Sequence, residues 1–274
     1  MIFHDWSLLP QPVQYDPVLN NNTWEQIAKA SDEGIASTLW KVGDRKEIVL
    51  NGTVGALTFE DYHTYAYIIG FDHNAAVEGD HRIHFQLAKT ALSGGTDICF
   101  TDGQYLNAGS SAAFRMNTSG INSGGWEDSY MRKNILGTSK TSYSGRFIGV
   151  LPSALRNVLK SVTKYTDNTG DASTSSSAVT ATTDYIFLLT EYEVFGSCSN
   201  ANSNEASRQQ QYAYYSAGNS KVKYRHNSTG SAAIWWLRSA IRYDSATFAG
   251  VHTGGGVMDY YVGYSFGVAP CFCV

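Results

Sequence analysis

The side chains best suited to binding a ligand are concentrated in residues 240–265, near the C-terminal end of the chain. They stand among glycines, and they comprise Ala240, Arg242, Tyr243, Asp244, Ser245, Thr247, His252, Asp259, Tyr260, Tyr261 and Tyr264. Tyrosine offers a large contact area with few rotatable bonds, whereas serine, aspartate and glycine adapt locally to a partner. This composition predicts a recognition surface in which the tyrosines supply area and the charged residues supply polar selection. The alternative is an ordinary hairpin with solvated loops.

Patterns that signal catalysis or metal binding are weak in this chain. The clustered histidines, at His63, His73, His81 and His84, lack HxxxH or HExxH spacing. None of the four cysteines stands in a CxxC pair, and Cys271 and Cys273 alternate on one strand, where they read as small buried residues. No GxSxG elbow and no phosphate-binding loop occurs. We therefore expect no catalytic residue, no metal, no cofactor and no enzyme activity.

Two apolar stretches flank the binding region and read as buried strands that hold it as a hairpin. They run from Ile234 to Ser239 and from Gly267 to Val274. Their predicted scaffold residues are Trp235, Trp236, Arg238, Gly267 and Pro270. For Arg238 we expect a structural role, stacked on an aromatic ring and bonded to loop carbonyls. The alternative places Arg238 at the edge of the binding face.

Composition narrows the class of protein. Of the 274 residues, 43% are hydrophobic, which is enough for one large domain. Only 16% are charged, with a net charge of -4 and no basic cluster, so nucleic-acid binding is not expected. The N-terminus lacks the pattern of a signal peptide. No apolar run reaches the roughly 20 residues of a membrane helix, so no membrane insertion is expected.

Several motifs resemble one family of domains encoded by phages and prophages. The blocks that carry the likeness are WWLRS at Trp235–Ser239, GVAPCFCV at Gly267–Val274, WKVGD at Trp40–Asp44 and IIGFDHN at Ile68–Asn74. The C-terminal pattern also resembles C-type-lectin-fold variable proteins diversified by retroelements, which implies a variable region at residues 235–274. Phe266–Cys271 is loosely similar to a cysteine segment of sulfatase-modifying oxidases, without its arginine, which leaves oxidase chemistry as a minor alternative.

Local patterns predict the elements that position this region. We expect three helices: a capped helix from Thr23 that ends before Gly34, and helices over Gly125–Leu136 and Leu151–Val162. We expect a buried strand at Tyr65–Phe71, a half-buried strand at Arg82–Leu87 and a central strand at Tyr185–Leu189. A hairpin turn is predicted at Asn51–Gly52 and an exposed loop at Asp167–Thr183. Without a regular βαβ alternation, these elements favour an α+β fold with a mixed sheet. The resemblance implies a C-type-lectin-like arrangement, with two or three helices flanking a twisted sheet.

The chain divides into an irregular arm, residues 1–22, and a ligand-binding domain, residues 23–274. Prolines at positions 10, 12 and 17 forbid a regular helix in the arm, which we expect to dock on this domain, on a second copy or on a virion partner. The resemblance implies a phage tail protein, made in the host cytoplasm, that adsorbs to a host-cell surface protein or glycan. Its other partners would be tail proteins and copies of itself in a homo-oligomer. The alternatives are a structural virion protein and a bacterial surface lectin.

Overall fold

The structure is a computed structural model, and it describes residues 13–274. Its first part contains α1 (Trp24–Asp32), α2 (Ala36–Leu39), β1 (Arg45–Val54), β2 (Leu57–Phe71), α3 (Ala75–Glu78), β3 (Ile83–Lys89) and β4 (Ile98–Cys99). Its middle contains α4 (Gly125–Asp128), a π-helix (Met131–Leu136), α5 (Phe147–Val150), α6 (Ser153–Val158), β5 (Val162–Asp167), β6 (Val179–Asp184), β7 (Ile186–Phe187), α7 (Glu191–Phe195) and α8 (Ala213–Ser216). Its last part contains β8 (Lys223–Arg225), β9 (Ser228–Ala233), β10 (Trp235–Ala240), β11 (Thr247–Val251), β12 (Val257–Tyr261) and β13 (Cys271–Cys273). Short 3-10 helices lie at Leu19–Asn21, Ser176–Ala178 and Ser203–Ser207.

The largest sheet has the strand order β1-β2-β3-β13-β7, and all its neighbouring strands are antiparallel. The last strand of the chain therefore lies inside the sheet, where Cys271 pairs with Gln86 on one side and with Phe187 on the other. Beyond this strand, Val274 exchanges two backbone hydrogen bonds with Ile83, of 3.0 and 3.1 Å. The prediction that this apolar end is tied into a sheet is confirmed.

The α+β class is also confirmed, but the prediction of one mixed sheet with two or three helices is too simple. The described residues form four sheets, of five, three, three and two strands. Among their named strands only β4 and β8 pair in parallel. The α-helices other than α1 span only four to six residues each, so sheets rather than long helices carry most of the regular structure.

The helix α1 begins and ends as its sequence predicts. The Thr23 hydroxyl accepts a hydrogen bond from the Gln26 amide at 3.2 Å, and the Gln26 side chain accepts one from the Thr23 amide at 2.8 Å. Its first residue, Trp24, packs edge-on against Phe85 at 5.5 Å and Phe272 at 6.0 Å between ring centroids. The helix thus covers the sheet where the C-terminal strand enters it.

The predicted turn at Asn51–Gly52 is wrong, because this dipeptide lies inside β1. The register between β1 and β2 shifts there, and the chain reverses at Gly55–Ala56 instead. The Asn51 side chain bonds to Asp61 on the opposite strand, accepting from its amide at 2.9 Å and donating to its carboxylate at 3.0 Å. A left-handed glycine at position 52 (φ +113°) suits a β-bulge as well as a turn.

Three other strand and helix predictions need correction. The strand predicted at Arg82–Leu87 is fully buried from Ile83 onward rather than half-buried, because neighbouring strands and other elements cover it. The strand predicted at Tyr185–Leu189 is short and lies at an edge of the five-stranded sheet rather than in its centre. The helix predicted over Gly125–Leu136 is interrupted at Ser129–Tyr130, between α4 and the π-helix.

The segment from Leu151 to Thr183 differs most from its prediction. The helix α6 covers only part of the apolar pattern at Leu151–Val162, and Val162 already begins β5. The stretch Asp167–Thr183, predicted as an exposed loop, returns as β6 and pairs with β5 over six residues. Its many serines and threonines are typical of a loop, but the segment contains a strand in which the alternate residues Thr182 and Asp184 are buried.

The N-terminal arm is described only in part, since residues 1–12 lie outside the described residues. In the described part, Tyr15 packs edge-on against Trp40, with 6.5 Å between ring centroids. The Asn20 side chain accepts a hydrogen bond from the Glu47 amide at 2.8 Å. This part of the arm therefore docks on its own domain.

Buried apolar residues from Leu19 to Val274 form one contiguous core. Within residues 13–274, no helix is long and apolar enough to cross a bilayer. The predicted binding region, residues 240–265, therefore belongs to the same folded body as α1 and the five-stranded sheet.

Replacing Thr23 by alanine tests how much the cap of α1 contributes. The variant leaves the Gln26 amide without its side-chain partner, so we expect the free energy of unfolding to fall by about 1 kcal/mol. Urea denaturation followed by circular dichroism measures the change. Thr118→Ala is the control, because Thr118 is exposed and its hydroxyl makes no hydrogen bond within residues 13–274. Equal stabilities for the two variants would contradict a stabilising cap.

Candidate ligand-binding surface

The two tryptophans predicted as scaffold are fully buried in β10. The indole of Trp235 donates a hydrogen bond to the Lys221 carbonyl at 2.9 Å, and that of Trp236 donates to the Phe114 carbonyl at 2.9 Å. Trp236 also packs edge-on against Tyr260, with 6.3 Å between centroids. With both polar groups paired, these side chains fix β10 against three separate parts of the chain.

The other two scaffold residues, Gly267 and Pro270, are buried as well. A Cβ atom on Gly267 would lie 2.3 Å from the sulfur of Cys99, so only glycine fits this position. The Gly267 carbonyl accepts a hydrogen bond from the Trp236 amide, and the Pro270 carbonyl accepts one from the Leu87 amide, both at 2.9 Å. This stretch therefore joins the sheet of β10 to the five-stranded sheet.

The two scaffold strands do not form the predicted hairpin. Strand β10 belongs to a three-stranded sheet of order β10-β11-β12, whereas β13 belongs to the five-stranded sheet. The hairpin of this region is instead β11–β12, which turns at His252–Gly256. Both new strands come from the middle of the binding region, because residues such as Phe248, Val251 and Val257 give it apolar contacts of its own.

Arg238 lies in the core, with none of its surface exposed. Its guanidinium forms a bidentate pair with Glu193, at 2.6 and 3.0 Å, and its Nε donates to the Thr166 hydroxyl at 2.8 Å. It also donates to the Leu188 carbonyl. The nearest ring is Phe187, 6.0 Å from the guanidinium, rather than a flanking tryptophan. The structural role predicted for Arg238 agrees with this position, and its burial excludes the edge of the binding face.

A second buried cation extends this pair into a network. The Lys164 ammonium donates to Glu193 at 2.9 Å, to Glu78 at 2.6 Å and to the Tyr212 hydroxyl at 2.8 Å. We call Glu78, Lys164, Glu193 and Arg238 the buried charge network. Its members come from α3, β5, α7 and β10, so four distant parts of the chain must meet to pair these charges.

Opposite charges decide the ionisation of the network. Burial alone would raise the pKa of Glu193, but Arg238 and Lys164 hold it below its ordinary value. Burial alone would lower the pKa of Lys164, but the Glu193 and Glu78 carboxylates raise it. Burial raises the pKa of Glu78 to about 7 despite the neighbouring Lys164. Glu193 is therefore the carboxylate that both cations stabilise, and Glu78 is the weaker acid of the two.

His73, Glu78 and Glu193 place potential metal-ligand atoms within 4.8 Å of one another. However, the Lys164 ammonium already sits between the two carboxylates, and the Arg238 guanidinium faces Glu193. Two cations at this point repel a metal ion and take the acceptor sites that it would need. The cluster is therefore better explained as part of the core.

The loop at residues 241–246, between β10 and β11, is held by a residue that the sequence did not single out. Asn122 is fully buried, and its side chain donates to the carbonyls of Asp244 at 2.9 Å and Thr247 at 2.8 Å. Its backbone amide donates to the Ser245 carbonyl at 2.6 Å. Because 122 positions separate Asn122 from Asp244, no local pattern reveals this support.

A second supporting residue that the sequence did not single out is Glu205, which contacts β10 through Ser239. Its carboxylate accepts hydrogen bonds from the Ser239 hydroxyl at 2.8 Å and from the Asp167 amide at 3.0 Å. Burial raises the pKa of Glu205 to about 7. The sequence gives no signal for this contact, since Glu205 stands in a polar stretch typical of an exposed loop.

Exposure separates the predicted contact residues into three groups. The exposed residues are Tyr243, Ser245, His252, Tyr261 and Tyr264. The half-buried residues are Arg242, Asp244, Asp259 and Tyr260. The buried residues are Ala240 and Thr247, which pack in β10 and β11 and were wrongly included in the contact set. The structure thus brings most of the predicted residues to the surface, around one sheet and its loops.

Tyr260 differs from the other three tyrosines. Its ring packs edge-on against Phe266, with 4.9 Å between centroids, as well as against Trp236. Burial raises its pKa to about 12. Tyr260 therefore serves mainly as part of the frame, whereas Tyr243, Tyr261 and Tyr264 are 55%, 40% and 37% exposed.

Large exposed apolar side chains gather around this surface. Eight are exposed among residues 13–274, and the 240–265 region holds four of them: Tyr243, Met258, Tyr261 and Tyr264. Two more, Leu106 and Ile121, border the region. The Leu106 amide donates to the Ser265 carbonyl at 2.8 Å. Ile121 immediately precedes Asn122, the residue that bonds to the loop at 241–246. The sequence does not predict this border, because its residues precede the region by more than a hundred positions. We call residues 240–265 with this border the C-terminal face.

A protein-family model described as "Domain of unknown function (DUF6273)" matches residues 104–274. The chain belongs to the DUF6273 family. No curated protein and no solved structure matches it.

The DUF6273 match covers the whole C-terminal face and most of its support. Lys164, Glu193 and Arg238 lie inside the match, but Glu78 precedes it. Strands β1, β2 and β3 also precede it, although β3 is the neighbour of β13 in the five-stranded sheet. In this chain, the DUF6273 region is therefore completed by residues that come before it.

The buried thiol of Cys273 and the buried imidazole of His84 do not form a reactive pair. The Cys273 sulfur lies 3.2 Å from the His84 Nδ1 atom, and both side chains are fully buried. Burial raises the pKa of Cys273 to about 12 and lowers that of His84 well below its ordinary value. Both groups therefore stay neutral, whereas a nucleophilic cysteine acts as a thiolate. All four cysteines are free, as expected for Cys271 and Cys273.

Arg238→Ala tests the support beneath the surface. The variant leaves the buried Glu193 carboxylate without its bidentate partner, so we expect the free energy of unfolding to fall by about 3–5 kcal/mol. Chemical denaturation followed by tryptophan fluorescence measures it. Arg242→Ala is the control, since Arg242 is half-buried, forms no salt bridge within residues 13–274, and should change stability by at most about 0.5 kcal/mol. A loss under about 1 kcal/mol for Arg238→Ala would show that the pair is not a major support.

The raised pKa of Glu205 predicts a pH-dependent stability difference. Between pH 4.5 and about 7 the folded chain keeps a proton on Glu205 that the unfolded chain releases, so this group's contribution to stability falls as pH rises through that window. Glu205→Gln removes the ionisation. From pH 5 to pH 8 we expect the variant to gain on the order of 3 kcal/mol relative to the wild type. Denaturation midpoints at both pH values measure this gain, and the exposed Glu127→Gln should show none.

Proposed function

We propose that this protein is a non-enzymatic recognition protein that binds a partner on a host-cell surface through its C-terminal face. Tyr243, Tyr261 and Tyr264 point large side chains outward, and they stand on a sheet whose own core is fixed by Trp235, Trp236 and the buried charge network. A rigid frame with exposed tyrosines binds with little loss of side-chain freedom.

The single observation that carries this proposal is the pairing of Tyr261 with Tyr264. Their rings meet edge-to-face, with 5.5 Å between centroids, yet both remain over a third exposed. Exposed aromatic groups of this kind are common at the centres of binding interfaces, where they supply most of the affinity. Neither ring is needed to fill the core.

The finer parts of the proposal rest on the sequence motifs. We propose a C-type-lectin-like fold, and one feature of the structure supports it: α1, near the start of the domain, packs on β13, at its end. We likewise propose that the protein is a phage tail protein and that the C-terminal face varies between relatives. Adsorption would then combine many weak contacts per virion.

A second candidate function is a structural role, in which the same face is buried against another tail protein. Met258, Leu106 and Ile121 favour it, because these apolar side chains are 45%, 52% and 44% exposed and would suit a permanent subunit contact. The two functions differ in whether the purified protein binds cells.

The double variant Tyr261→Ala, Tyr264→Ala tests recognition. Labelled protein is incubated with a panel of intact bacteria, and cell-associated fluorescence is measured against protein concentration. We expect the double variant to lose at least about tenfold in apparent affinity, since one tyrosine hot spot contributes about 2 kcal/mol or more. Tyr65→Ala, on a half-buried tyrosine of β2 outside the face, is the matched control.

Two outcomes would contradict recognition. The first is no binding to any strain together with tight association of the wild-type protein with itself or with a tail protein in sedimentation experiments, which would favour the structural role. The second is cell binding that the double variant and Tyr65→Ala reduce equally.

A further inference from the structure

A small cavity opens beside the exposed tyrosines of the C-terminal face. Its volume is about 240 Å³, and its lining includes Arg115, Tyr261, Ser110 and Thr118 together with three glycines. It is smaller than the roughly 300–1,000 Å³ of pockets that hold drug-sized ligands. The cavity therefore suits one sugar residue or a group of similar size.

Two glycines hold Tyr261 in the wall of this cavity. A Cβ atom on Gly120 would lie 2.8 Å from the Tyr261 hydroxyl oxygen, and one on Gly263 would lie 2.7 Å from its ring. The backbone at Gly120 is also left-handed, with φ +79°, which other residues rarely adopt. The Tyr261 side chain thus lies close against two glycines, and 40% of the residue stays exposed.

Arg115 supplies the only formal charge in the cavity lining. Its guanidinium donates to the Gly109 carbonyl and, at 3.3 Å, to the Ser110 carbonyl, and it lies 5.5 Å from the centre of the Tyr130 ring. Its buried Nε has no hydrogen-bond partner, and no carboxylate within residues 13–274 forms a salt bridge with it. The positive charge is therefore held in place but not neutralised.

We propose that this cavity binds a carboxylated sugar, such as a uronic acid, at the end or edge of a surface glycan. The apolar C–H face of the sugar ring packs on Tyr261, and its carboxylate pairs with Arg115. The hydroxyls of Ser110 and Thr118 can donate to and accept from the sugar hydroxyls. A bare phosphate would use the arginine but has no apolar face for the tyrosine. This inference rests on the proposed function and specifies its ligand.

Titration of the full chain with two matched sugars tests the proposal. Methyl glucuronide carries the carboxylate, and methyl glucoside is its neutral counterpart. Nuclear magnetic resonance of the ¹⁵N-labelled protein reports binding through the amides near Arg115 and Tyr261. We expect saturable shifts with methyl glucuronide in the millimolar range, and at least about tenfold weaker binding of methyl glucoside, because it lacks the charge-assisted hydrogen bonds.

Variants show whether the arginine reads the carboxylate. Arg115→Gln should abolish the preference for methyl glucuronide, and Arg115→Lys should retain part of it, because the positive charge remains. Arg208→Gln is the matched control: Arg208 also lies over a tyrosine ring, that of Tyr165 at 4.9 Å, but outside the cavity. Melting temperatures of the three variants identify any loss of folding, and the Lys variant keeps the test valid if the Gln variant unfolds.

Three results would overturn the inference: equal affinity for both sugars, no saturable shift with methyl glucuronide, or a preference that survives in a folded Arg115→Gln variant. Its failure can be separated from failure of the proposed function. Cell binding that depends on Tyr261 and Tyr264 without any response to methyl glucuronide would refute only the acidic-sugar ligand. Absence of cell binding, together with tight association of the protein with itself or with a tail protein, would refute the recognition function itself.

Discussion

The bidentate pair of Arg238 and Glu193 is the contact on which the arrangement of the other elements depends. A charge buried without a partner costs several kcal/mol, so neither residue can enter the core alone. Arg238 stands on β10 and Glu193 on α7, and Lys164 adds β5 while Glu78 adds α3. Correct pairing therefore requires four elements to meet at one point. Such a network selects one packing of the core more strongly than apolar contacts, which tolerate many alternatives.

This arrangement separates the support of the C-terminal face from its outer side chains. Tyr243, Tyr261 and Tyr264 are exposed and form no hydrogen bond with the buried charge network, so we expect changes at these positions to leave the paired charges intact. The same stretch also contains positions that cannot change freely. A Cβ on Gly250 would lie 2.9 Å from the Tyr260 ring. The region therefore contains two kinds of position: surface residues that can be replaced and residues that the packing of the sheet requires.

Signals that act within a few residues were legible in the sequence, whereas long-range pairings were not. The capping box at Thr23 was predicted because its two hydrogen bonds join residues three positions apart. The strand β5 was missed because lysine and aspartate are residue types typical of exposed positions, although Lys164 and Asp167 are at most 1% exposed. Their burial is explained only by partners such as Glu193 and Asn202, which no local pattern connects to them.

Within residues 240–265, one feature was predicted correctly from the sequence and others were not. Its composition predicted exposed tyrosines, and three of four are exposed, because the surrounding glycines and polar residues give them nowhere to be buried. Composition did not show that β11 would pair with β10 and β12 with β11, since the period-2 pattern in β11 is interrupted at Gly250. Nor did it show Arg115, which reaches the face from a different part of the chain.

The boundary of the DUF6273 match shows why the face cannot be understood from its own residues alone. Residues 104–274 contain the C-terminal face and Arg238, but the strand that ends them, β13, takes one of its two neighbours from β3, before the match. Without the residues before the match, Phe272 would lose its stacked partner Phe85 on β3, and Lys164 would lose Glu78 on α3. The folded body that carries the C-terminal face would then contain an unpaired edge of β13 and a buried Lys164 with one carboxylate partner fewer. The packing beneath the C-terminal face is therefore a property of the whole domain, and under the proposed function the residues before the match would support the binding surface from within the core.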